Sequence, residues 1–249
     1  HDLATSEAKR QRKSTANRSL TILKAALNRA FKKHDAAETD KAWRAAEPFS
    51  GADSARVRYL SQVEAQRLVN AAEPGFRELV QGALLTGCRY SELTAMNAGD
   101  FDPDSKSVHV RQSKSGKPRH VFLTREGLAF FERQAAGKRP EDAMFLRPDG
   151  LRWGKSHAQR PLTRACEAAK IEPISFHILR HSYCSHAIMG GAPLLVVAQN
   201  VGHADTRMIT KHYGHLAQQY VRETIEASAM KLDIASTDNV ETFKPTGSR

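Results

Sequence analysis

The sequence is short of cysteine, of long apolar runs and of acid relative to base, and each shortage narrows what the protein can be. Three cysteines, Cys88, Cys166 and Cys184, form an odd count without any C-x-x-C pair, which argues against a disulfide framework or a thiolate zinc site and leaves them as small buried hydrophobes. No apolar stretch reaches bilayer-spanning length and none follows a basic start, so neither a membrane span nor a leader is expected, and the chain reads as cytoplasmic. Internal repeats and low-complexity segments are missing as well. The 249 residues carry 27 Asp and Glu against 38 Lys and Arg, a formal charge of +11. That excess suits a polyanionic partner, nucleic acid or an acidic membrane surface, against the plainer reading of a solvated basic face.

The length allows one large domain or two modest ones. His1 to Lys13 is polar and reads as a frayed start. Leu20, Leu23, Leu27 and Phe31 then recur at spacings of three and four, predicting an amphipathic helix over about residues 15–33. Its other faces carry Arg18, Lys24, Arg29, Lys32 and Lys33. A weaker helix around Asp40 to Ala46 precedes Pro48, Ser50 and Gly51, a linker composition. Ser61 and Glu64 form an S-x-x-E capping box that opens the next helix, and a second apolar stripe, Gly75 to Thr86, stops at Gly87. Alternation over Ser107 to Gln112 and over Arg119 to Thr124 predicts a β-hairpin with Lys114 at its turn. Met144 to Leu146 reads as a short strand and Gln159 to Lys170 as a helix. Two further helices flank Gly190 and Gly191, with Pro193 in the first turn of the second, which closes on Gly202. Gln218 to Lys231 is helical by composition, and an unpatterned tail follows.

Chemistry concentrates between Ser175 and His215. His177 and Arg180, three apart on a helix, leave one face together; His203 follows Gly202, and Tyr213 stands ten residues further on. Upstream, Arg89 sits just past the Gly87 stop in T-G-C-R-Y-S-E-L, with Glu92 three residues later. Singly, each has an ordinary explanation: a structural histidine, an arginine serving the carbonyls of a helix end, a tyrosine packed with its hydroxyl satisfied. Collectively, the order H-x-x-R-H, G-H and Y-G-H, with G-x-R-x-x-E-L before it, resembles the tyrosine recombinases of the phage-integrase family. The resemblance covers about residues 57–230; Asn200-Val201-Gly202-His203 lacks the leucine often found before G-H.

The resemblance implies a mainly α protein with a small antiparallel β-sheet (α+β), a catalytic fold preceded by a helical DNA-binding segment. It places part of a core-binding domain at residues 1–50, a catalytic domain at 57–232 and a tail at 233–249. Only the last helices of a core-binding domain fit into fifty residues, and the chain begins with His1, so a truncated start is expected. Arg89 and Arg180 would clamp the scissile phosphate, Tyr213 would attack it, His177 would accept the tyrosine proton, His203 would hydrogen-bond a phosphate oxygen and Lys114 would protonate the departing 5′-oxygen. Glu92 would brace a neighbouring His or Arg, while Arg18, Lys24, Arg29, Lys32 and Lys33 would meet the DNA backbone. Implied partners are double-stranded recombination sites, further copies in a tetramer on DNA, and an accessory DNA-bending protein. No cofactor or metal is implied. The residues agree, because Asp205 is the sole carboxylate between Ser175 and Tyr213, whereas two-metal nucleases need several; Arg180 amid His177, His181 and His186 would repel a cation. Alternatives are a type IB topoisomerase-like relaxing enzyme or a non-catalytic DNA-binding regulator of the same fold, with Tyr220 as a rival nucleophile.

Overall fold

The computed structural model describes residues 2–34, 38–52, 58–111 and 118–202. The chain divides into two compact units, His1–Arg56 and Val57–Arg249.

The first unit is built on α1 (Asp2–His34) and the short α2 (Lys41–Arg44). Contrary to a frayed start, the helix runs from Asp2, because residues 2–34 contain no Gly or Pro and are rich in Ala, Lys, Arg and Leu, which lose little on becoming helical. The returning segment is tied to α1 by polar contacts. Asn17 donates from Nδ2 to Phe49 O (2.9 Å) and accepts from Phe49 N (2.7 Å), and Trp43 Nε1 donates to Asn28 Oδ1 (2.8 Å) while its ring meets Phe31 edge-on. So small a unit cannot cover the whole predicted stripe, and Leu23 stays 55% exposed.

The second unit is mostly helical: α3 (Gln62–Ala71), α4 (Phe76–Thr86), α5 (Tyr90–Ala95), α6 (Arg125–Ala135), α7 (Gln159–Ala168), α8 (His177–Met189) and α9 (Leu194–Val201). A three-stranded antiparallel sheet, β1 (Phe101–Asp102), β2 (Ser107–Val110) and β3 (Arg119–Phe122), is ordered β1-β2-β3, with Val108 opposite Val121. The expected capping box forms: Glu64 N donates to Ser61 Oγ (3.2 Å), and Ser61 N donates to Glu64 Oε2 (2.8 Å). Met144 to Leu146 makes only isolated bridges at its flanks, Asn97 with Ala143 and Leu146 with Arg152, because that segment runs against irregular chain and finds no strand to pair with. A helix not expected from sequence, α6, is capped by Thr124 Oγ1 accepting from Gly127 N (3.1 Å) and buries Phe130 and Phe131.

One core unites Leu68, Phe76, Leu79, Val80, Leu93, Val121, Phe131, Phe145, Leu162 and Leu179, so α4 and α8 pack against each other at its centre. A smaller cluster of Cys184, Ile188, Val197, Ala198 and Val201 seats α9 on α8. All three cysteines are buried in the second unit. Leu60 at the head of the unit is fastened to α8, donating from N to Ser182 Oγ (2.8 Å) and accepting at O from His186 Nε2 (2.8 Å).

The most demanding turn is at Gly87, which ends α4 in the left-handed region (φ 65°). A Cβ there would lie 2.5 Å from Tyr183 Cδ1 and 2.9 Å from Val201 Cγ1. Gly87→Ala should therefore lower the unfolding free energy by about 2–4 kcal/mol, the sum of backbone strain and overpacking. Gly137 also has positive φ (73°) but open space around it, so Gly137→Ala serves as the strain-only reference and should lose about 1 kcal/mol. Urea midpoints of the two variants check the difference.

Candidate active site

The site is assembled around the Gly87 turn. Thr86 Oγ1 donates to Gly82 O (2.5 Å) and accepts from Cys88 N (3.1 Å), fixing the exit of α4. Arg89 then caps α5: its backbone N donates to Glu92 Oε2 (2.9 Å) and its Nη1 to Glu92 Oε1 (2.8 Å). From the facing helix, Arg180 reaches back and donates from Nη1 to Gly87 O (2.8 Å). Arg180 is only 2% exposed, and its Nη2 is buried with no hydrogen-bond partner among the described residues. His177 opens α8 and is exposed, its ring meeting that of His181 edge-on at 4.6 Å. Arg89, His177 and Arg180 line one cavity of about 390 Å³ together with Cys88, Tyr90, Ser91, Lys155 and Phe176.

The cavity is strongly positive. No carboxylate is among its lining residues, and the first turn of α8, where the helix dipole is positive, carries no acid. Burial, and then the neighbouring Arg89 charge, push the Arg180 guanidinium down to about 10, which still leaves it protonated at neutral pH. Behind the cavity, Glu92 is the countercharge, its side chain 1% exposed. Arg119 from β3 grips both its oxygens, Nη1 to Oε1 at 3.1 Å and Nη2 to Oε2 at 2.8 Å, and also donates from Nε to Asn200 O at 3.1 Å. Burial alone would raise the Glu92 pKa, but the Arg119 hydrogen bonds and the Arg89 backbone N–H hold it below the usual carboxylate value. Burial also pushes the Cys88 thiol up to about 11, so it is a neutral wall.

Of the residues expected from sequence, the structure brings Arg89, Glu92, His177 and Arg180 together. Lys114, His203 and Tyr213 lie outside the described residues, as do Tyr220 and the helix expected over Gln218 to Lys231. On α1, Arg18, Arg29, Lys32 and Lys33 are exposed, while Lys24 is partly covered and donates from Nζ to Arg44 O (3.3 Å). No group of three or more metal-ligating side chains occurs among the described residues, and no helix among them is long and apolar enough to cross a membrane. Three contributors were missed from sequence. Arg119 reads there merely as the polar partner of Val121 and Asn200 as part of an apolar helix, and no local pattern marks Lys155. Yet Asn200 accepts at Oδ1 from Phe122 N (2.8 Å) and donates from Nδ2 to Tyr183 Oη (2.7 Å), locking the end of α9 to β3.

A mostly helical domain in which two arginines and a histidine line one cavity without a carboxylate suits an anionic ligand, and comparison narrows the class. The chain belongs to the phage integrase family, whose model matches residues 58–220. It is 30% identical over 168 residues to the tyrosine recombinase XerA of Saccharolobus solfataricus, covering 67% of this chain and 55% of that one. Similarity to the integrase of Salmonella phage P22 is 27% over 179 residues, covering 68% and 46%. The chain thus spans about half the length of the curated relatives it matches. The crystal structure of XerA recombinase superposes with a TM-score of 0.55 at 25% identity, over 70% of this chain and 64% of that one. The Tn1549 transposon integrase, solved with circular intermediate DNA, gives a TM-score of 0.68 at 17% identity over 86% and 78%, a likeness of fold. The expected mainly α fold with a small antiparallel sheet is borne out.

The Glu92 clamp generates a pH prediction. Its folded-state pKa is depressed, so its stabilising contribution is complete above the ordinary carboxylate range and disappears as pH falls through the folded value. Glu92→Gln should cost about 3 kcal/mol at neutral pH, because two arginines lose their countercharge, and should flatten the fall of stability between roughly pH 5 and pH 3. Urea midpoints of both proteins across that range measure it.

Proposed function

We propose that this chain carries the strand-exchange chemistry of a site-specific DNA recombinase, cleaving and rejoining DNA through a 3′-phosphotyrosyl bond. The observation that carries this reading is the buried Arg180 with an unpartnered Nη2, beside Arg89 in a cavity without acids. A protein that buries an unsatisfied guanidinium gains nothing in stability from it, whereas an incoming phosphodiester supplies the missing acceptor.

In this reading, Tyr213 Oη attacks the phosphorus, the P–O5′ bond breaks, and the energy of the backbone is kept in the tyrosyl ester. Arg89 and Arg180 hold the non-bridging oxygens as negative charge grows on them. A phenol with a pKa of about 10 is protonated at neutral pH, so its proton goes to His177, whose exposed ring stands at the cavity. Lys114 delivers a proton to the 5′-oxygen, and His203 hydrogen-bonds the phosphate. A 5′-hydroxyl from a second strand reverses the sequence. Residues 1–50 act as part of a core-binding domain, with Arg18, Lys24, Arg29, Lys32 and Lys33 against the DNA backbone. Double-stranded recombination sites, tetramer assembly on them and an accessory DNA-bending protein complete the set of partners.

Tyr213→Phe removes one oxygen and almost no volume. It should bind DNA with near-normal affinity and form no covalent adduct on a nicked suicide duplex resolved by denaturing electrophoresis. Arg180→Ala should slow adduct formation by roughly a hundredfold or more. An adduct that persists in Tyr213→Phe and vanishes in Tyr220→Phe would move the nucleophile; cutting that needs added Mg²⁺ and neither tyrosine would overturn the recombinase reading. Relaxation of arbitrary plasmid by dilute protein would favour a topoisomerase.

A further inference from the structure

The cavity holds more positive charge than one phosphodiester requires. Beside Arg89, His177 and Arg180 its wall includes Lys155, which comes from a different part of the chain, the turn between the Leu146–Arg152 bridge and α7. An exposed loop lysine is usually only solvated, but this turn is held firmly. Tyr90, the residue after Arg89, donates from Oη to Gly154 O (2.7 Å), and Gly154 N donates to His157 Nδ1 (3.0 Å). Trp153, on the other side of Gly154, is buried against Phe76 with ring centroids 5.5 Å apart. The Tyr90 ring is itself wedged edge-on against Phe176, 5.0 Å away, directly before His177. Lys155 is therefore carried on a backbone pinned directly to α5 through Tyr90, whose ring in turn packs on the residue that precedes α8, and no carboxylate is among the residues that line the cavity with it.

Resting on the recombinase reading above, we propose that Lys155 binds the DNA phosphate next to the scissile one on the cleaved strand, and that Tyr90 is the positioning residue that sets it there. Along one strand of a duplex, phosphates follow each other at about 3.4 Å of helix axis. A cavity that seats one of them has its neighbour at the rim, where an exposed, strongly hydrated ammonium works well and a planar fork is not needed. Lys155 thus fixes the register of the strand in the cavity, while the arginines act on the reacting group. Burial raises the Tyr90 pKa, so its hydroxyl remains a donor to Gly154 at any physiological pH.

The test uses the full chain and a nicked duplex captured covalently by the wild-type protein from a randomised duplex library, remade with single neutral methylphosphonates at each phosphate near the nick. Lys155→Ala should slow adduct formation about tenfold or more, as expected for loss of a hydrogen bond to a charged group. Its log-affinity against log-salt slope should shrink by about 0.9, one phosphate. One methylphosphonate, adjacent to the scissile position, should slow the wild type by a similar factor and have no further effect on Lys155→Ala. Lys155→Arg should retain most of the rate, and Tyr90→Phe, which keeps the ring packing, should show the same coupling at the same phosphate. Equal losses for Lys155→Ala at every methylphosphonate position, or an unchanged salt slope, would overturn the proposal. So would recovery of the Lys155→Ala rate on a 5′-bridging phosphorothiolate, which would put Lys155 on the leaving group. Failure of the wild type to capture any duplex would instead sink the recombinase reading, while the salt slope would still report on Lys155.

Discussion

A guanidinium is among the costliest groups to bury, and Arg180 is 2% exposed with a single acceptor among the described residues, the carbonyl of Gly87. Much of the second unit serves to keep it there. Gly87 must be left-handed for its carbonyl to point back at α8, and the absence of a Cβ lets Tyr183 and Val201 close over the turn. The packing of α4 against α8 sets the distance between the two. Since the folded-state pKa falls to about 10, the charged form is less comfortable here than in water. A charge held at that cost is a candidate binding group.

Charge is then apportioned so that the cavity stays positive. Two guanidiniums, from Arg89 and Arg119, share the Glu92 carboxylate, and Arg180 stands beside them without pairing to it. Arg119 takes both carboxylate oxygens from behind, so Glu92 orients Arg89 without cancelling it. The same arginine donates to Asn200 O and fills the space that a side chain at position 202 would need: a Cβ on Gly202 would lie 2.8 Å from Arg119 Cδ. One side chain thereby ties three stretches of sequence together: the Arg89 turn, the edge of the hairpin and the end of α9.

What the sequence revealed and what it hid divides by range. The Ser61–Glu64 box, the stop of α4 at Gly87, the hairpin and the helix starting at His177 were all legible because each is decided by residues within a few positions of one another. Arg89, His177 and Arg180 were legible as a set only through their family pattern, since nothing local brings α5 to α8. Arg119 meets Glu92 across 27 residues and Asn200 across 81; no periodicity encodes such a meeting. Helix α6 was within reach, with a Thr124 cap and Phe130 and Phe131 in its interior, but its apolar face is narrow and follows directly on a strand. The opposite error at Met144 to Leu146 arose because an apolar run was read as pairing when it is simply core.

Burial rules Cys88 out as the nucleophile of the proposed reaction. Cysteine is intrinsically the better nucleophile, and Cys88 lines the same cavity as both arginines. Two nearby guanidiniums would ordinarily favour a thiolate, yet burial outweighs them and holds the thiol near 11, so almost none is ionised at neutral pH. A neutral sulfur in that wall neither attacks the phosphorus nor spends the positive field on an internal anion. In the proposed reaction the field of Arg89 and Arg180 is left for the phosphodiester, and the attack is assigned to Tyr213, not to this thiol.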